Sequence, residues 1–287
     1  MLNYKFLTLL LIAVKLFATS TETIHSSLST YYEFKNYENS KQKKSGTSFG
    51  IGADVHHLNA TYKIAYESAQ AETYQPPLQE DLEVQKLFFQ YGYKFTKKLY
   101  IHLNYINVLS DNIAITNHGE SYAGGFTYRL SKEFSLGSTY YYTTYKFFDV
   151  KQSDLVFNYH FKSAEMQFRF TSITKYLALE DKEPNSFTKN AQSSYITSGL
   201  KLHAALQSYH LGVGAYFGKR AFAIMDNGFK VQHHAMEFDR TYAIGIGKNI
   251  KTFVLRLQYI YQRATELPIE NKNVTMGVTR FMLNYKF

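Results

Sequence analysis

Through most of the chain, apolar and aromatic side chains return at every second position. Leu87, Phe89, Tyr91, Tyr93 and Phe95 alternate with Lys86, Phe88, Gln90, Gly92 and Lys94, a period of two that sets the groups on opposite faces of an extended strand. A polar Thr96-Lys97-Lys98 follows, and then Leu99, Ile101, Leu103 and Tyr105 alternate with Tyr100, His102 and Asn104. That is a hairpin closed by a short turn. The unit recurs: Tyr122 to Leu130 leads through Ser131-Lys132-Glu133 into Phe134 to Tyr142, and Leu155 to Phe161 leads through Lys162-Ser163 into Met166 to Phe170. Ile196 to Leu202 turns near Ala205 into Tyr209 to Phe217, Tyr242 to Ile246 turns at Lys248-Asn249 into Phe253 to Tyr261, and Phe49 to Val55 turns at His57-Leu58 into Ala60 to Tyr66. With a first strand carrying Leu28, Tyr32 and Phe34 and a last one ending at Phe287, the pattern predicts about 14 strands, its spacing also admitting about 12 or 16.

The connections between these hairpins differ from the turns within them. Residues 38–46, 69–82, 108–120, 145–152, 173–192, 219–236 and 263–272 are longer, polar and variable. Strands of about 9 to 11 alternating residues, with short turns at one end and long loops at the other, are the arrangement of a transmembrane barrel. A soluble sandwich has no reason to keep its long connections at one end. The expected fold is therefore all-β, a transmembrane antiparallel up-and-down barrel. Lipid offers no partner to a backbone N–H or C=O, and a closed barrel satisfies all of them.

Composition narrows the picture. Nowhere do 18 consecutive apolar residues occur and mean hydropathy is −0.31, so helical spans are not expected. The absence of Cys removes disulfides, thiolate metal sites and cysteine nucleophiles, and no cofactor is expected. Lys5, the apolar run Phe6 to Val14 and the small Ala18 before Thr19-Ser20-Thr21-Glu22 read as a signal peptide over residues 1–18, leaving residues 19–287 as the barrel domain. Its removal takes two lysines and leaves a net charge of +7.

At the C-terminus Phe281, Leu283, Tyr285 and Phe287 alternate and Phe is the last residue. Here the chain resembles bacterial outer-membrane β-barrel, porin-like proteins, a class and not a subfamily. The resemblance implies a location in the outer membrane, contact with its lipid, and recognition of the last strand by the barrel-assembly machinery. Both termini are then periplasmic.

The polar parity must face the lumen, because charges facing lipid cost about 2–4 kcal/mol at mid-membrane. It carries the candidate pore-lining residues Lys63, Lys86, Arg129, Arg169, Lys201, Arg256, Arg280, Glu67, Asp154 and Glu165, together with Lys35, Lys94, Lys286, Glu33, Asp54 and Asp239. Ten bases against six acids give a modest cationic excess, which favours anions; pairing across strands would cancel it. Gly50, Gly52, Gly92, Gly125, Gly137, Gly199, Gly212, Gly214, Gly245 and Gly247 share the inward parity, where they leave room for solute or relieve crowding. The function expected is passive diffusion of small hydrophilic solutes, with a weak anion preference. The alternative is a non-conducting barrel that serves as a surface receptor or adhesin through Phe147-Phe148, Tyr176 and Phe222. The two longest connections, from Ile173 and from Lys219, read as surface loops, with inward folding as the second option. Oligomeric state is open.

Enzymatic and nucleic-acid readings fare worse. His25-x-Ser27 and Asp54-x-His56 have spacings used by outer-membrane phospholipases and proteases, but both fall at the turn end of the barrel. His233-His234 with Glu237 and Asp239 lies near a long loop and offers an acid–base pair. The acidic run Leu179-Glu180-Asp181-Lys182-Glu183 reads as a solvated charge cluster. Gly245-x-Gly247 and Gly212-x-Gly214 lack a third glycine and a following helix. Basic residues spread around the chain and gather on no single face, so no nucleic acid is expected; Lys41, Lys43 and Lys44 suit acidic lipid head groups better.

Overall fold

The computed structural model describes residues 24–112 and 115–287. Residues 1–18, read above as a signal peptide, lie outside the described residues. Fourteen strands close a ring: β1 (Ile24–Glu38), β2 (Lys43–His57), β3 (Ala60–Thr73), β4 (Leu82–Lys94), β5 (Leu99–Asp111), β6 (Glu120–Arg129), β7 (Phe134–Thr144), β8 (Phe148–Ser163), β9 (Met166–Asp181), β10 (Ser194–Leu206), β11 (Tyr209–Arg220), β14 (Met236–Ile250), β15 (Phe253–Glu266) and β16 (Asn271–Lys286). Each pairs antiparallel with the next, β11 with β14, and β16 with β1 along Ser27–Lys286 to Glu38–Thr275, so no open edge remains. Two short strands, β12 (Ile224–Met225) and β13 (Lys230–Val231), form a separate hairpin within the β11–β14 connection.

The alternation sorts as its parity predicts. Tyr32, Phe34, Phe89, Tyr93, Leu103, Phe126, Leu155, Leu211, Ile244 and Leu257 are exposed on the outer wall, while their chain neighbours face in. Aromatic rings concentrate toward both rims of that wall. Phe134 stacks on Tyr159 at 4.5 Å and Phe161 on Phe168 at 4.8 Å near the turn end; Tyr105–Tyr122 and Phe217–Tyr242 lie toward the loop end. Such girdles fit two membrane interfaces. The terminal aromatics belong to this wall. Phe281 meets Phe34 edge-on, Tyr285 lies against Phe253 and Phe287, and the Phe287 N–H donates to the Ser26 carbonyl at 3.0 Å.

Strands run longer than the alternation suggests, from 10 residues in β6 to 16 in β8, β9 and β16. The predicted connections 38–46, 145–152 and 263–272 shrink to 39–42, 145–147 and 267–270. Beyond the lipid belt both faces of a strand are wet or packed, so alternation fades while the hydrogen-bond ladder continues. The remaining long connections are 74–81, 112–119, 182–193 and 221–235, all at one rim.

The loop-end half of the lumen is packed. Tyr145, Phe148, Val150, Leu177, Tyr195, Phe222 and Leu267 form a buried cluster, with Phe147 and Phe187 against it. Phe148 and Phe222, which could serve as exposed binding aromatics or equally pack on the rim, are fully buried with ring centres 4.7 Å apart. Tyr176 alone of that set is exposed, on the outer wall.

Candidate functional site

The 221–235 connection does not lie on the surface. It folds into the lumen, reversing the expectation of a surface loop, because its residues are apolar where the wall is apolar and charged where the wall carries the opposite charge. Ala221, Phe222, Ala223 and Ile224 are at most 2% exposed. Ile224 is gripped through its backbone: its N–H donates to Gln152 Oε1 at 2.8 Å, and its carbonyl accepts from Gln152 Nε2 and Lys175 Nζ. Asn227, φ +58°, and Gly228, φ +99°, reverse the chain; a Cβ on Gly228 would sit 2.8 Å from the Phe88 ring. Phe229 then packs on Phe88 and Tyr31.

Lys230 completes the anchor on the opposite wall. Its ammonium reaches Glu33 at 3.0 Å and also pairs with Glu67. Glu33 accepts in addition from Arg280 Nε at 2.6 Å, and Glu67 pairs with Lys86 and accepts from the Tyr31 hydroxyl. Three candidate lumen residues, Lys86, Arg280 and Glu67, therefore hold the hairpin. Two further ones act from the other side: Asp154 pairs with Lys175 beneath Ile224, and Lys201 pairs with Asp226 of the hairpin tip at 3.1 Å. Lys63 pairs with Asp54 at 3.6 Å nearer the turn end. Arg129, Arg169 and Arg256 face inward and have no carboxylate within 4 Å among the described residues. Glu165 lies in the exposed β8–β9 turn, below the lumen wall. Lys175 and Lys230 were not singled out from the sequence. Lys175 falls on the inward parity and could have been; Lys230 sits in a connection with no alternation to assign it a side.

Beside the hairpin a cavity of about 500 Å³ remains, bounded by the β9–β11 and β14–β16 wall, with Lys201, Met225, Asp226, Arg169, Arg256 and Arg280 among its lining. The inward glycines divide into two kinds. At Gly50, Gly92 and Gly199 a Cβ would fall within 2.3 Å of the Tyr31, Tyr100 and Tyr216 side chains, so these glycines let aromatic side chains lie flat on the wall. At Gly212 a Cβ would meet nothing within 4 Å, whereas at Gly214 and Gly245 it would already be tight, 3.3 and 3.2 Å from Lys201 and the Leu257 carbonyl. Of these, Gly212 opens space.

His233 and His234 lie at the inner rim with ring centres 4.2 Å apart. Burial, with Lys86 and Lys35 beside His233 and Lys43 beside His234, holds both imidazoles well below their ordinary range. His233 Nδ1 is 3.1 Å from the Val231 carbonyl. Glu237 pairs instead with Lys219 at 2.8 Å and Asp239 with Arg263 at 3.2 Å. These histidines are thus neutral side chains packed at the hairpin base, each without a carboxylate hydrogen bond among the described residues.

No family model matches the chain, and neither does any curated protein sequence. Solved structures do. A bacterial polysaccharide outer membrane secretin is 10% identical, with 91% of this chain and 98% of that one covered at a TM-score of 0.56. The toluene transporter TbuX of Ralstonia pickettii is 10% identical over 93% and 90%, at 0.54. The NanC porin is 10% identical over 90% of this chain and all of that one, at 0.50. The shared feature is the fold, a closed barrel of the outer-membrane kind.

Proposed function

We propose that the protein is an outer-membrane channel for passive diffusion of small hydrophilic solutes, weakly preferring anions. The observation that carries this reading is a closed barrel with an apolar outer wall, aromatic at both rims, around a cavity of about 500 Å³, with Arg169, Lys201, Arg256 and Arg280 in its lining, that the inner hairpin leaves free. Cavities of that size admit a single small molecule. In this reading the chain is exported by residues 1–18, the terminal Phe281, Leu283, Tyr285 and Phe287 serve assembly, and the three long loops that stay outside the lumen face outward from the cell. The similar structures named as a porin and a transporter support a conduit over an enzyme, and the carboxylates near His233 and His234 are engaged by other residues. Arg129, Arg169 and Arg256 supply the anion preference, since Lys63, Lys86, Lys175, Lys201, Lys230 and Arg280 are paired.

The test is single-channel recording of the refolded protein in a planar bilayer under a potassium chloride gradient. Small ohmic steps with a reversal potential displaced toward chloride are expected. Cation preference would remove the anion part, and silence from a folded, heat-modifiable barrel would remove the channel. The packed loop-end core favours a second reading for that case, a plugged barrel whose outer loops bind a surface partner.

A further inference from the structure

The wall of the cavity has a feature that conduction alone does not require. Arg169, His203, Gly212, Gly245 and Gln258 are successive cross-strand partners on β9, β10, β11, β14 and β15. One step nearer the turn end the row reads His210, Gly247, Arg256. Side chains of both rows point into the cavity, yet their centre is bare backbone. At about 4.8 Å per strand, the gap between His203 and Gln258 is roughly 14 Å wide. Crowding does not explain Gly212, at the middle of the first row, because nothing lies within 4 Å of where its Cβ would be. This is a recess, with a floor of peptide groups and a cation at either side.

Its charge is unbalanced. The acids lining the cavity are engaged elsewhere, Glu33 by Arg280, Glu67 by Lys86 and Lys230, and Asp226 by Lys201. Arg169 and Arg256 both line the cavity, and neither has a carboxylate within 4 Å among the described residues. Both ring nitrogens of His210, between them in the wall, are buried without a hydrogen-bond partner. Two unneutralised guanidinium forks beside unspent imidazole capacity match an oxyanion, which accepts bidentate hydrogen bonds from arginine.

We propose that this recess is a saturable binding site for a small hydrophilic organic anion, its carboxylate or phosphate held by Arg169 and Arg256. The inference deepens the channel reading, on which it rests only for the solute's route of entry. The experiment is calorimetric titration of the refolded full chain in detergent with glucuronate, glucose 6-phosphate and glucose, in parallel with bilayer recording in the same solutes. Glucuronate or glucose 6-phosphate should bind saturably and glucose should not; whichever anion binds identifies the head group. The double variant Arg169→Gln with Arg256→Gln should weaken binding at least tenfold. Gly212→Leu, which fills the recess where there is space for a side chain, should do the same, and Lys44→Gln, paired with Glu72 at the loop rim, should not. Equal binding of glucose and the anions, or unchanged binding in both recess variants with intact heat-modifiable folding, would overturn the site. Absence of anion binding in a conducting barrel also overturns it and leaves the channel standing. Binding without conductance supports the site and removes the channel.

Discussion

Two buried charges with different surroundings show how the lumen is held. Glu67 is 6% exposed and serves Lys86, Lys230 and the Tyr31 hydroxyl together. Glu67→Ala leaves two ammonium groups without their shared partner, and a broken buried pair costs about 3–5 kcal/mol. Arg220 is fully buried as well, between the rings of Tyr216 and Phe238 at 5.6 and 5.5 Å. Its Nη2 donates to the Thr241 hydroxyl, while Nε and Nη1 have no partner. Here the cation–π contacts offset only part of the desolvation, so Arg220→Met is expected to be neutral or stabilising by about 1–2 kcal/mol. Guanidinium unfolding of both variants from liposomes checks the contrast; equal losses would contradict it.

Among the elements, the inner hairpin decides how much lumen is open. The Gln232 N–H already donates to the Ala223 carbonyl at 2.9 Å, so excising residues 224–231 joins ends that lie side by side. The excised barrel is expected to conduct several times more than the intact one in a planar bilayer; unchanged steps would mean that the hairpin does not limit flow. Nothing in the alternation of residues 219–236 announces this hairpin, because its contacts are made with strands up to 200 residues away, through Lys230 to Glu33 and Glu67. The strands themselves were legible, since lipid on one side and water on the other write a period of two into each of them. Their ends were less so. Four turns have two residues, 58–59, 164–165, 207–208 and 251–252, and each opens on a non-glycine at positive φ: Leu58, Ala164, Gln207 and Lys251. Without Asn-Gly or Asp-Gly to mark them, the sequence places these turns a few residues early. Of the candidate site, the inward parity was readable from Lys86, Arg169 or Arg256, but which cations are paired was not, because pairing depends on register across strands and on the hairpin.

At the scale of the whole molecule, the outer wall sets the environment the fold needs. Ile244 is 54% exposed there, between Val213 and Tyr259 on the neighbouring strands. Ile244→Arg is expected to cost about 2–4 kcal/mol in liposomes, whereas the same residue at Gln167, on the lumen-facing parity of β9, costs little. Similar losses at both sites would argue against a lipid-facing wall. The ring is closed by β1 and β16, and one carboxylate oxygen stands at that junction: Glu33 Oε1 accepts from Arg280 of β16 at 2.6 Å and lies 3.0 Å from Lys230 of the hairpin. Before β1 and β16 meet, this three-part contact does not exist, so the hairpin cannot reach its final seat in a half-built ring. Sealing the wall and stoppering the bore are one event in assembly, and a barrel caught ajar at its seam should also be caught with its bore unobstructed.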